Sequence, residues 1–465
     1  MNKIHFVGIG GVGMGTFAVA LAEAGYQVTG SDGALYEPMK SVLAASQIAL
    51  TEGFLETTPP AVSADVVVIG NVVRKENPEV AAWMKKGTKF LSFPEAVRVF
   101  LLEEKKAIVC AGTHGKTTTT SWIAFLLTEL GSDPTYLIGG VPVDLPSGCK
   151  KGAGKFCVVE GDEYDSAFFD KGPKFLHYNP QIAVISSIEF DHADIYKDLS
   201  HVKSSFEKLV SLLPGDGLCV ARFDDPTVME VAPLALCPVQ TFGMAPGAMW
   251  RVGKIDETEA GFNFEILYKG KSLGQFESPM FGEHNLMNIL SGIICATNLG
   301  FPLDKIRKIV PKFQGAKRRQ EILSRKPFTL VDDFAHHPTE VAATLKAVRR
   351  RFPQGKLWAL FEPRSATARR SVHQQDYERA FECADHVLVS IPYRAHELKE
   401  DERLSSDSLV QALVALGKNA QSFDSVEAIV ESVGSGIQPG DVVVVMSNGE
   451  FGKIQGKLLK RLESI

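Results

Sequence analysis

The sequence predicts an α/β protein that carries a parallel sheet in each of three successive domains. Apolar, β-branched runs alternate with helical stretches along the chain, and several of these runs end in glycine-rich or acidic turns. A chain of 465 residues exceeds what one core usually serves, and its 45% hydrophobic content is enough for two to four cores. We place the domains at residues 1–104, 105–324 and 325–465.

The first domain opens on a strand at residues 4–7 and a turn that carries Gly8, Gly10 and Gly13. This spacing matches the dinucleotide fingerprint, and Asp32 stands where a ribose-binding acid belongs. A glycine turn at a helix N-terminus binds any diphosphate, so the motif fits either NAD or a UDP-sugar. Another apolar strand is predicted at residues 64–70, and Asn71, the last candidate contact in this domain, follows it. The candidate contacts are Gly8, Gly10, Gly11, Gly13, Met14, Ser31, Asp32 and Asn71.

The second domain opens on a phosphate-binding loop. A β-branched run at residues 107–111 leads into Gly-Thr-x-Gly-Lys-Thr, and an apolar helix follows. The backbone N–H groups of such a turn bind phosphate, Lys116 supplies a positive charge, and the hydroxyl of Thr117 is a ligand for Mg²⁺. We interpret the motif as an ATP site; a chance Gly-Lys-Thr at a helix start is the alternative. Its residues are Gly112, Thr113, His114, Gly115, Lys116, Thr117 and Thr118.

Two polar turns follow later strands of this domain. A run that begins at Phe156 ends in an acidic segment headed by Glu160, and a run that begins at Gln181 leads to Asp191 and His192. Parallel strands present their carboxyl ends at one edge of a sheet, so we expect these side chains to face Mg²⁺ beside the phosphate loop. Solvated loops with helix caps are the alternative.

Two asparagines and an arginine complete the candidate nucleotide site. Asn285 and Asn288 share a helix face, which suits recognition of an adenine edge, although helix capping by Asn285 explains the spacing equally well. Arg319 lies in a basic stretch, where a guanidinium either clamps phosphate or faces solvent.

The third domain again alternates strands and helices, and polar residues follow its strands. Asp333 and His336 follow the first strand, Arg364 follows another, and Ser447 and Asn448 follow the last. The guanidinium fork of Arg364 suits a substrate carboxylate, and a surface arginine is the alternative.

These motifs together resemble the Mur ligase family, the ATP-dependent amide-bond-forming enzymes of peptidoglycan metabolism. The resemblance covers nearly the whole chain. It implies a Rossmann-like N-terminal domain for a UDP-sugar, a central P-loop ATPase domain and a Rossmann-like C-terminal domain. The motifs are 112–118, Glu160 with Asp162 and Glu163, Asp191-His192, Gly282 to Asn288, Arg318-Arg319 and Asp332 to Thr339.

The resemblance also implies residue roles. Lys116, Glu160 and His192 are the implied catalytic residues, with Mg²⁺ held by Thr117 and Glu160 and a second metal position at His192. The implied ATP contacts are Asn285, Asn288, Arg319, Asp333 and His336, in addition to the phosphate loop. Several relatives carry a carbamoylated lysine, but Phe206 stands at the aligned position, so that modification is not expected here.

Two groups within the family share the N-terminal glycine turn and the His-His-Pro-Thr element. One adds L-alanine to UDP-N-acetylmuramate, and the other adds the recycled tripeptide L-alanyl-γ-D-glutamyl-meso-diaminopimelate through an acyl phosphate. We expect the tripeptide reaction, with Arg364, Ser447 and Asn448 as peptide contacts. The segments that resemble the tripeptide-adding group are 162–171, 334–335, 362–365 and 446–452. The turn at residues 8–15 is nearer to the alanine-adding form, which is therefore the alternative.

Composition argues against several other classes. A net charge of −5 with interspersed signs gives no basic stripe for nucleic acid. There is no signal-peptide segment or run of about eighteen apolar residues, so a cytoplasmic location without membrane insertion is expected. The seven cysteines show no metal-knuckle spacing and are expected to be mostly buried thiols. Oligomeric state is not indicated.

Two other functional classes explain part of the sequence. An NAD-dependent dehydrogenase accounts for the first glycine turn but leaves the phosphate loop without a role. A P-loop binding module accounts for nucleotide binding, but it does not need the acidic segments or the Asp191-His192 pair.

Overall fold

The computed structural model describes residues 1–37, 39–54, 63–258 and 260–462. The first sheet consists of β1 (Lys3–Val7), β2 (Gln27–Asp32), β3 (Ala49–Glu52), β4 (Val66–Ile69) and β5 (Lys89–Ser92). The helices of this part are α1 (Val12–Glu23), α2 (Met39–Ala44), α3 (Pro78–Lys85) and α4 (Phe93–Val97). All its strand pairs are parallel, in the order β3-β2-β1-β4-β5. The order changes direction between β1 and β4, which opens a ligand crevice at their carboxyl ends.

A ten-stranded sheet forms the middle of the molecule. Its strands are β6 (Lys106–Ala111), β7 (Thr135–Leu137), β8 (Cys149–Lys150), β9 (Phe156–Gly161), β12 (Pro180–Ile185), β13 (Leu218–Arg222), β14 (Val239–Gly243), β15 (Trp250–Thr258), β16 (Gly261–Tyr268) and β17 (Lys271–Ser278). A separate hairpin pairs β10 (Asp165–Ala167) with β11 (Asp170–Pro173). The helices are α5 (Lys116–Glu129), α6 (Leu199–Ser211), α7 (Pro226–Val231), α8 (Glu283–Asn298) and α9 (Leu303–Ile309).

The strand order of this sheet, β17-β16-β15-β14-β13-β12-β6-β9-β7-β8, positions the candidate site. Strand β6 lies between β12 and β9 and is parallel to both. The phosphate loop and the two polar turns therefore leave three adjacent strands at the same edge, as the sequence predicts. At one end of the sheet, β15, β16 and β17 form an antiparallel meander.

The third sheet has the order β18-β19-β23-β20-β21-β22 and is parallel except for the β18–β19 pair. Its strands are β18 (Glu321–Ser324), β19 (Thr329–Asp333), β20 (Leu357–Phe361), β21 (His386–Ser390), β22 (Asn419–Phe423) and β23 (Val442–Met446). Its helices are α10 (Pro338–Arg351), α11 (Gln374–Ala380), α12 (Ser406–Ala415), α13 (Val426–Gly436) and α14 (Ile454–Leu462).

Helix α5 is anchored in the core of the middle part. The indole of Trp122 is fully buried and donates a hydrogen bond to the carbonyl of Ile289 on α8 at 3.0 Å. Gly292 permits this close approach, because a Cβ atom there would lie 2.3 Å from the indole ring. The two helices thus hold the phosphate loop and the asparagine pair in a fixed relation.

The cysteines agree with what composition predicts. All seven cysteines are free thiols, and six of them are buried. Among the described residues, no helix is long and apolar enough to cross a bilayer.

Phe206 is a core residue of the middle part. Its side chain is completely buried and its ring lies 5.4 Å from that of Phe175. Its aromatic side chain therefore has a packing role in the core.

Replacement of Phe206 by alanine is expected to lower the free energy of unfolding of the middle part by about 3–5 kcal/mol, because it leaves a large cavity. Chemical denaturation followed by circular dichroism measures this loss. The matched control is Phe169→Ala, at a ring that is 43% exposed, for which a loss below about 1 kcal/mol is expected. Equal losses in the two variants would contradict the assignment of Phe206 to the core.

Candidate active site

The phosphate loop joins β6 to α5 and rests on the segment that follows β12. Gly112 has a φ of +133°, and a Cβ atom there would lie 2.3 Å from the hydroxyl of Ser186. The backbone N–H of Thr113 donates to the carbonyl of Ser187 at 3.0 Å, and that of His114 donates to the Ser187 hydroxyl at the same distance. Glycine is needed at position 112 both for its backbone angle and for this contact.

Lys116 begins α5 and points back into the loop. Its ammonium donates to the carbonyl of Gly112 at 2.8 Å and to the carboxylate of Glu163 at 2.8 Å. Burial acts to lower the pKa of Lys116, but the charges of Glu163 and Asp162 raise it above its ordinary value. The amine is therefore a permanent positive charge at the loop, suited to phosphate.

Thr117 and Glu160 provide two hard oxygen donors beside this charge. The hydroxyl of Thr117 donates to Glu160 at 2.9 Å, and the other carboxylate oxygen of Glu160 accepts from the backbone N–H of Gly139 at 2.7 Å. Burial, and next the charge of Asp162, raise the pKa of Glu160. A divalent cation would offset this crowding of buried negative charge, and a hydroxyl with a carboxylate is a donor set that suits Mg²⁺.

His192 contacts the same carboxylate, Glu163, as Lys116 does. Its Nε2 is 3.5 Å from Glu163 and 3.9 Å from Asp191. The residue has a φ of +54°, a left-handed conformation that is uncommon outside glycine and often marks functional sites. The structure therefore brings the implied second metal position next to the phosphate loop.

The two asparagines of α8 face the phosphate loop as a pair. The Asn288 amide donates to the side-chain oxygen of Asn285 at 3.1 Å, and its own oxygen accepts from Thr119 at 3.2 Å. Asn285 donates in addition to the carbonyl of Phe281 at 2.7 Å, and Gly282 occupies the N-cap position of the helix. Asn285 is thus not the N-cap residue, and both amides belong to the site wall.

Asp333 and Arg319 approach the site from the third part of the chain. The carboxylate of Asp333 accepts from the backbone N–H groups of Gln320 and Ala335, each at 2.7 Å. Burial raises the pKa of Asp333 to about 6, although the charge of Arg319 opposes the shift. The Arg319 guanidinium stacks 4.9 Å from the ring centroid of Phe334, so it is held against the protein and does not extend freely into solvent.

A cavity of about 800 Å³ lies between the middle and third parts, which is large enough for a nucleotide. Sequence reasoning missed part of its wall: Arg222 belongs to no nucleotide motif, and His284 lies within the Gly282 to Asn288 motif but was given no role. Most of the sequence-predicted nucleotide contacts line it. They are His114, Gly115, Thr118, Asn285, Asn288, Arg319 and Asp333.

A network of ionisable groups joins the middle and third parts beside this cavity. His114 Nδ1 lies 3.2 Å from Glu340, and its Nε2 lies 3.5 Å from Glu189. Burial acts to lower the pKa of His114, but Glu340 and Glu189 raise it to about 10. His336 lies 3.3 Å from Glu340 and 3.6 Å from Asp191. Sequence reasoning missed Glu189 and Glu340, whose role depends on contact between distant segments.

The glycine turn of the first part is organised by Asp32. Its carboxylate accepts from the backbone N–H of Gly10 at 2.7 Å, and the carbonyl of Ser31 accepts from Gly8 at 2.9 Å. Met14 is buried on α1, and Gly11 is the N-cap residue of that helix. A strand, a glycine turn and a helix thus follow one another here, as the sequence predicts.

Asn71 follows β4 and forms a contact between the first and middle parts. Its side-chain amide donates to the carbonyl of Asp165 at 3.1 Å. It thus lies at the crevice that opens between β1 and β4, next to the β10–β11 hairpin.

The predicted peptide contacts cluster at the ends of β20 and β23. The guanidinium of Arg364 lies 3.9 Å from the ring centroid of Tyr393 and 3.5 Å from Glu362. Ser447 donates to Glu362 at 2.5 Å, which uses its hydroxyl within the protein. The side-chain oxygen of Asn448 is buried without a hydrogen-bond partner among the described residues. The cluster offers a guanidinium and an amide oxygen to a ligand.

Three family models match successive parts of the chain. The model described as the Mur ligase family catalytic domain matches residues 3–105, the Mur ligase middle domain matches 110–296, and the Mur ligase glutamate ligase domain matches 318–449.

Full-length relatives match with similar identity. The UDP-N-acetylmuramate–L-alanyl-γ-D-glutamyl-meso-2,6-diaminoheptandioate ligase of Escherichia coli K12 is 34% identical, over 99% of this chain and 98% of that protein. A UDP-N-acetylmuramate–L-alanine ligase of Burkholderia cenocepacia HI2424 is also 34% identical, over 100% of this chain and 98% of that protein. The crystal structure of a murein peptide ligase from Psychrobacter arcticus 273-4 has a TM-score of 0.75 and 30% identity, and covers 100% of this chain and 99% of that one.

Proposed function

The chain belongs to the Mur ligase family, and we propose that it joins L-alanyl-γ-D-glutamyl-meso-diaminopimelate to UDP-N-acetylmuramate. Members of this family are ATP-dependent ligases that form amide bonds in the peptidoglycan pathway, and this chain is one of them. The proposal adds the identity of the acceptor peptide and hence a role in peptidoglycan recycling.

One contact carries the proposed assignment of the peptide site. The backbone N–H of Ala193 donates to the hydroxyl of Thr367 at 3.0 Å, which joins the Asp191-His192 turn to the loop that bears Arg364. A peptide held by Arg364 would therefore extend towards the groups that surround the phosphate loop. The segments at 162–171, 334–335, 362–365 and 446–452, which resemble the tripeptide-adding group, support the same acceptor, whereas the 34% identity with the E. coli enzyme is matched by an L-alanine ligase.

The first proposed step activates a carboxylate. The lactyl carboxylate of UDP-N-acetylmuramate attacks the γ-phosphorus of ATP, the bond from phosphorus to the β–γ bridging oxygen breaks, and an acyl phosphate and ADP result. Lys116 stabilises the charge on the transferring phosphoryl group, because its ammonium is fixed at the loop and always charged.

The residues present fit Mg²⁺ in its usual supporting role. Thr117 and Glu160 would hold one ion, and His192 a second, and such ions neutralise phosphate charge during transfer. Glu163 holds both Lys116 and His192 in place through its two carboxylate oxygens.

The second proposed step forms the amide. The free amine of the tripeptide attacks the acyl carbon, and a tetrahedral intermediate forms. The bond from this carbon to the phosphate oxygen then breaks, inorganic phosphate leaves, and the proton of the amine passes to solvent. Asp333 and Arg319 reach the cavity from the third part of the chain, so the site is complete only when that part is closed on the middle one.

The first part is proposed to orient the sugar nucleotide. Helix α1 begins after Gly11 without a side-chain cap, so its first N–H groups would be available to a diphosphate, and Asp32 stands at the end of β2 where it would meet the ribose. The ligand of this turn would then be UDP-N-acetylmuramate and not NAD.

Replacement of Arg364 by alanine is expected to raise the KM for the tripeptide about 10- to 100-fold with a smaller change in kcat, because a charge-assisted contact with a peptide carboxylate is lost. Steady-state kinetics with varied tripeptide measures this change, and Arg364→Lys should recover only part of the loss. The control is Arg394→Ala, at an arginine that is 57% exposed beside the same tyrosine. An unchanged KM in Arg364→Ala would remove the peptide-binding role of this residue.

Ligation of L-alanine to UDP-N-acetylmuramate is the second candidate function. The glycine turn at residues 8–15 favours it, because this turn is nearer to the alanine-adding form. Both candidates use the same phosphoryl transfer and differ only in the amine that attacks.

A further inference from the structure

Two histidines and a glutamate meet beside the nucleotide cavity, away from Thr117 and Glu160. His114 belongs to the phosphate loop, Glu189 follows β12, and His337 precedes α10. One ligand atom from each side chain lies within 4.8 Å of the other two. These groups come from both the middle and third parts of the chain.

We propose that His114, Glu189 and His337 form a further metal site, distinct from the implied Mg²⁺ positions, that binds one borderline divalent cation such as Zn²⁺. Two imidazoles and one carboxylate are a common zinc ligand set. This inference is independent of the proposed function, because it requires neither the sugar nucleotide nor the peptide.

The distances fit tetrahedral coordination. Zinc bonds of about 2.0–2.1 Å place neighbouring ligand atoms about 3.3–3.4 Å apart. In this structure, Nε2 of His114 and Nδ1 of His337 each lie 3.5 Å from the same carboxylate oxygen of Glu189. A small adjustment of these side chains completes the arrangement.

Each imidazole is oriented by a contact on its other nitrogen. Nδ1 of His114 lies 3.2 Å from Glu340, and Nε2 of His337 lies 3.3 Å from the carbonyl of Phe190. Metal-binding histidines usually donate their second N–H to a carboxylate or a carbonyl in this way. The other nitrogen of each ring therefore faces Glu189. Once the metal displaces any proton there, the lone pair of that nitrogen can bind a metal ion held between the ring and Glu189.

The ligand atoms are available for coordination. Nε2 of His114 is buried without a hydrogen-bond partner among the described residues. Nδ1 of His337 accepts only a long contact of 3.3 Å from the backbone N–H of Thr339, which a metal ion would displace. All three side chains line the large cavity, which leaves a fourth coordination position open to it.

The direct test is titration of the full-length, nucleotide-free and metal-free protein with Zn²⁺ in competition with a chromophoric chelator. One tight equivalent is expected in the wild type, and Co²⁺ should give the visible absorption of a tetrahedral site. Glu189→Gln and His337→Ala should each weaken Zn²⁺ binding at least about 30-fold. Glu189→Gln is nearly isosteric, so it keeps the test valid if His337→Ala misfolds.

Two control variants separate this site from others. His201→Ala removes an exposed histidine, and Glu160→Gln removes a ligand of the implied Mg²⁺ site; both should keep Zn²⁺ affinity within about twofold of the wild type. The proposal is overturned if the wild type binds Zn²⁺ no more tightly than Glu189→Gln does. It is also overturned if Glu160→Gln abolishes the tight equivalent while His337→Ala retains it.

Discussion

Replacement of Lys116 by alanine is expected to reduce the rate of ligation at least about a thousandfold. The ammonium is the fixed positive charge of the phosphate loop, held 2.8 Å from both the Gly112 carbonyl and the Glu163 carboxylate. Its loss removes charge stabilisation from the phosphoryl transfer and leaves Glu163 buried without that partner. Release of phosphate from ATP in the presence of both other substrates measures the effect.

The control for this prediction is Lys312→Ala. Lys312 is 58% exposed and pairs with Glu129 on the surface, so its removal should leave the rate within about twofold of the wild type. Circular dichroism verifies that both variants fold. A folded Lys116→Ala variant with more than a tenth of the wild-type activity would show that the phosphoryl transfer takes place elsewhere.

Replacement of Glu160 by glutamine is expected to reduce kcat about 100- to 1,000-fold and to raise the Mg²⁺ concentration required for half-maximal activity. Glutamine keeps the shape of the side chain and can still accept the hydrogen bond from Gly139, which limits structural change. It removes the carboxylate charge that, with Thr117, suits a magnesium ion. Initial rates over a range of Mg²⁺ concentrations measure both effects.

Glu277→Gln provides the matched control, because Glu277 is exposed on β17, far along the sheet from β6. Its kinetics and Mg²⁺ dependence should equal those of the wild type. If Glu160→Gln has the Mg²⁺ dependence of the wild type, Glu160 is not a metal ligand.

The parallel strands near the site were predictable from sequence because they are short apolar runs that end in polar turns. The strand predicted at residues 4–7 is observed as Lys3–Val7, and that at 64–70 is observed as Val66–Ile69. Buried strands of parallel sheets are apolar on both faces, which makes them easy to find but blurs their ends.

The antiparallel meander β15–β17 was not predicted. Its strands alternate buried and exposed residues, as in Trp250–Thr258, and they stand next to no chemical motif. Periodicity of this kind indicates a strand but does not show which sheet it joins. The prediction of parallel sheets was therefore incomplete for this segment, for β8 and for β18.

The site was predictable where one motif supplies neighbouring residues, as in the phosphate loop. It was not predictable where residues from different parts of the chain meet, as Glu189 and Glu340 do around His114. Such contacts depend on the packing of the third part against the middle one, which local sequence does not encode.

The identity of the amine that this ligase accepts is tested by one product assay. The protein is incubated with ATP, Mg²⁺, UDP-N-acetylmuramate and equimolar L-alanine and L-alanyl-γ-D-glutamyl-meso-diaminopimelate, and the products are identified by mass spectrometry. We expect the UDP-N-acetylmuramoyl tripeptide to be the main product. Predominant formation of UDP-N-acetylmuramoyl-L-alanine would contradict it and assign the chain to the alanine-adding reaction.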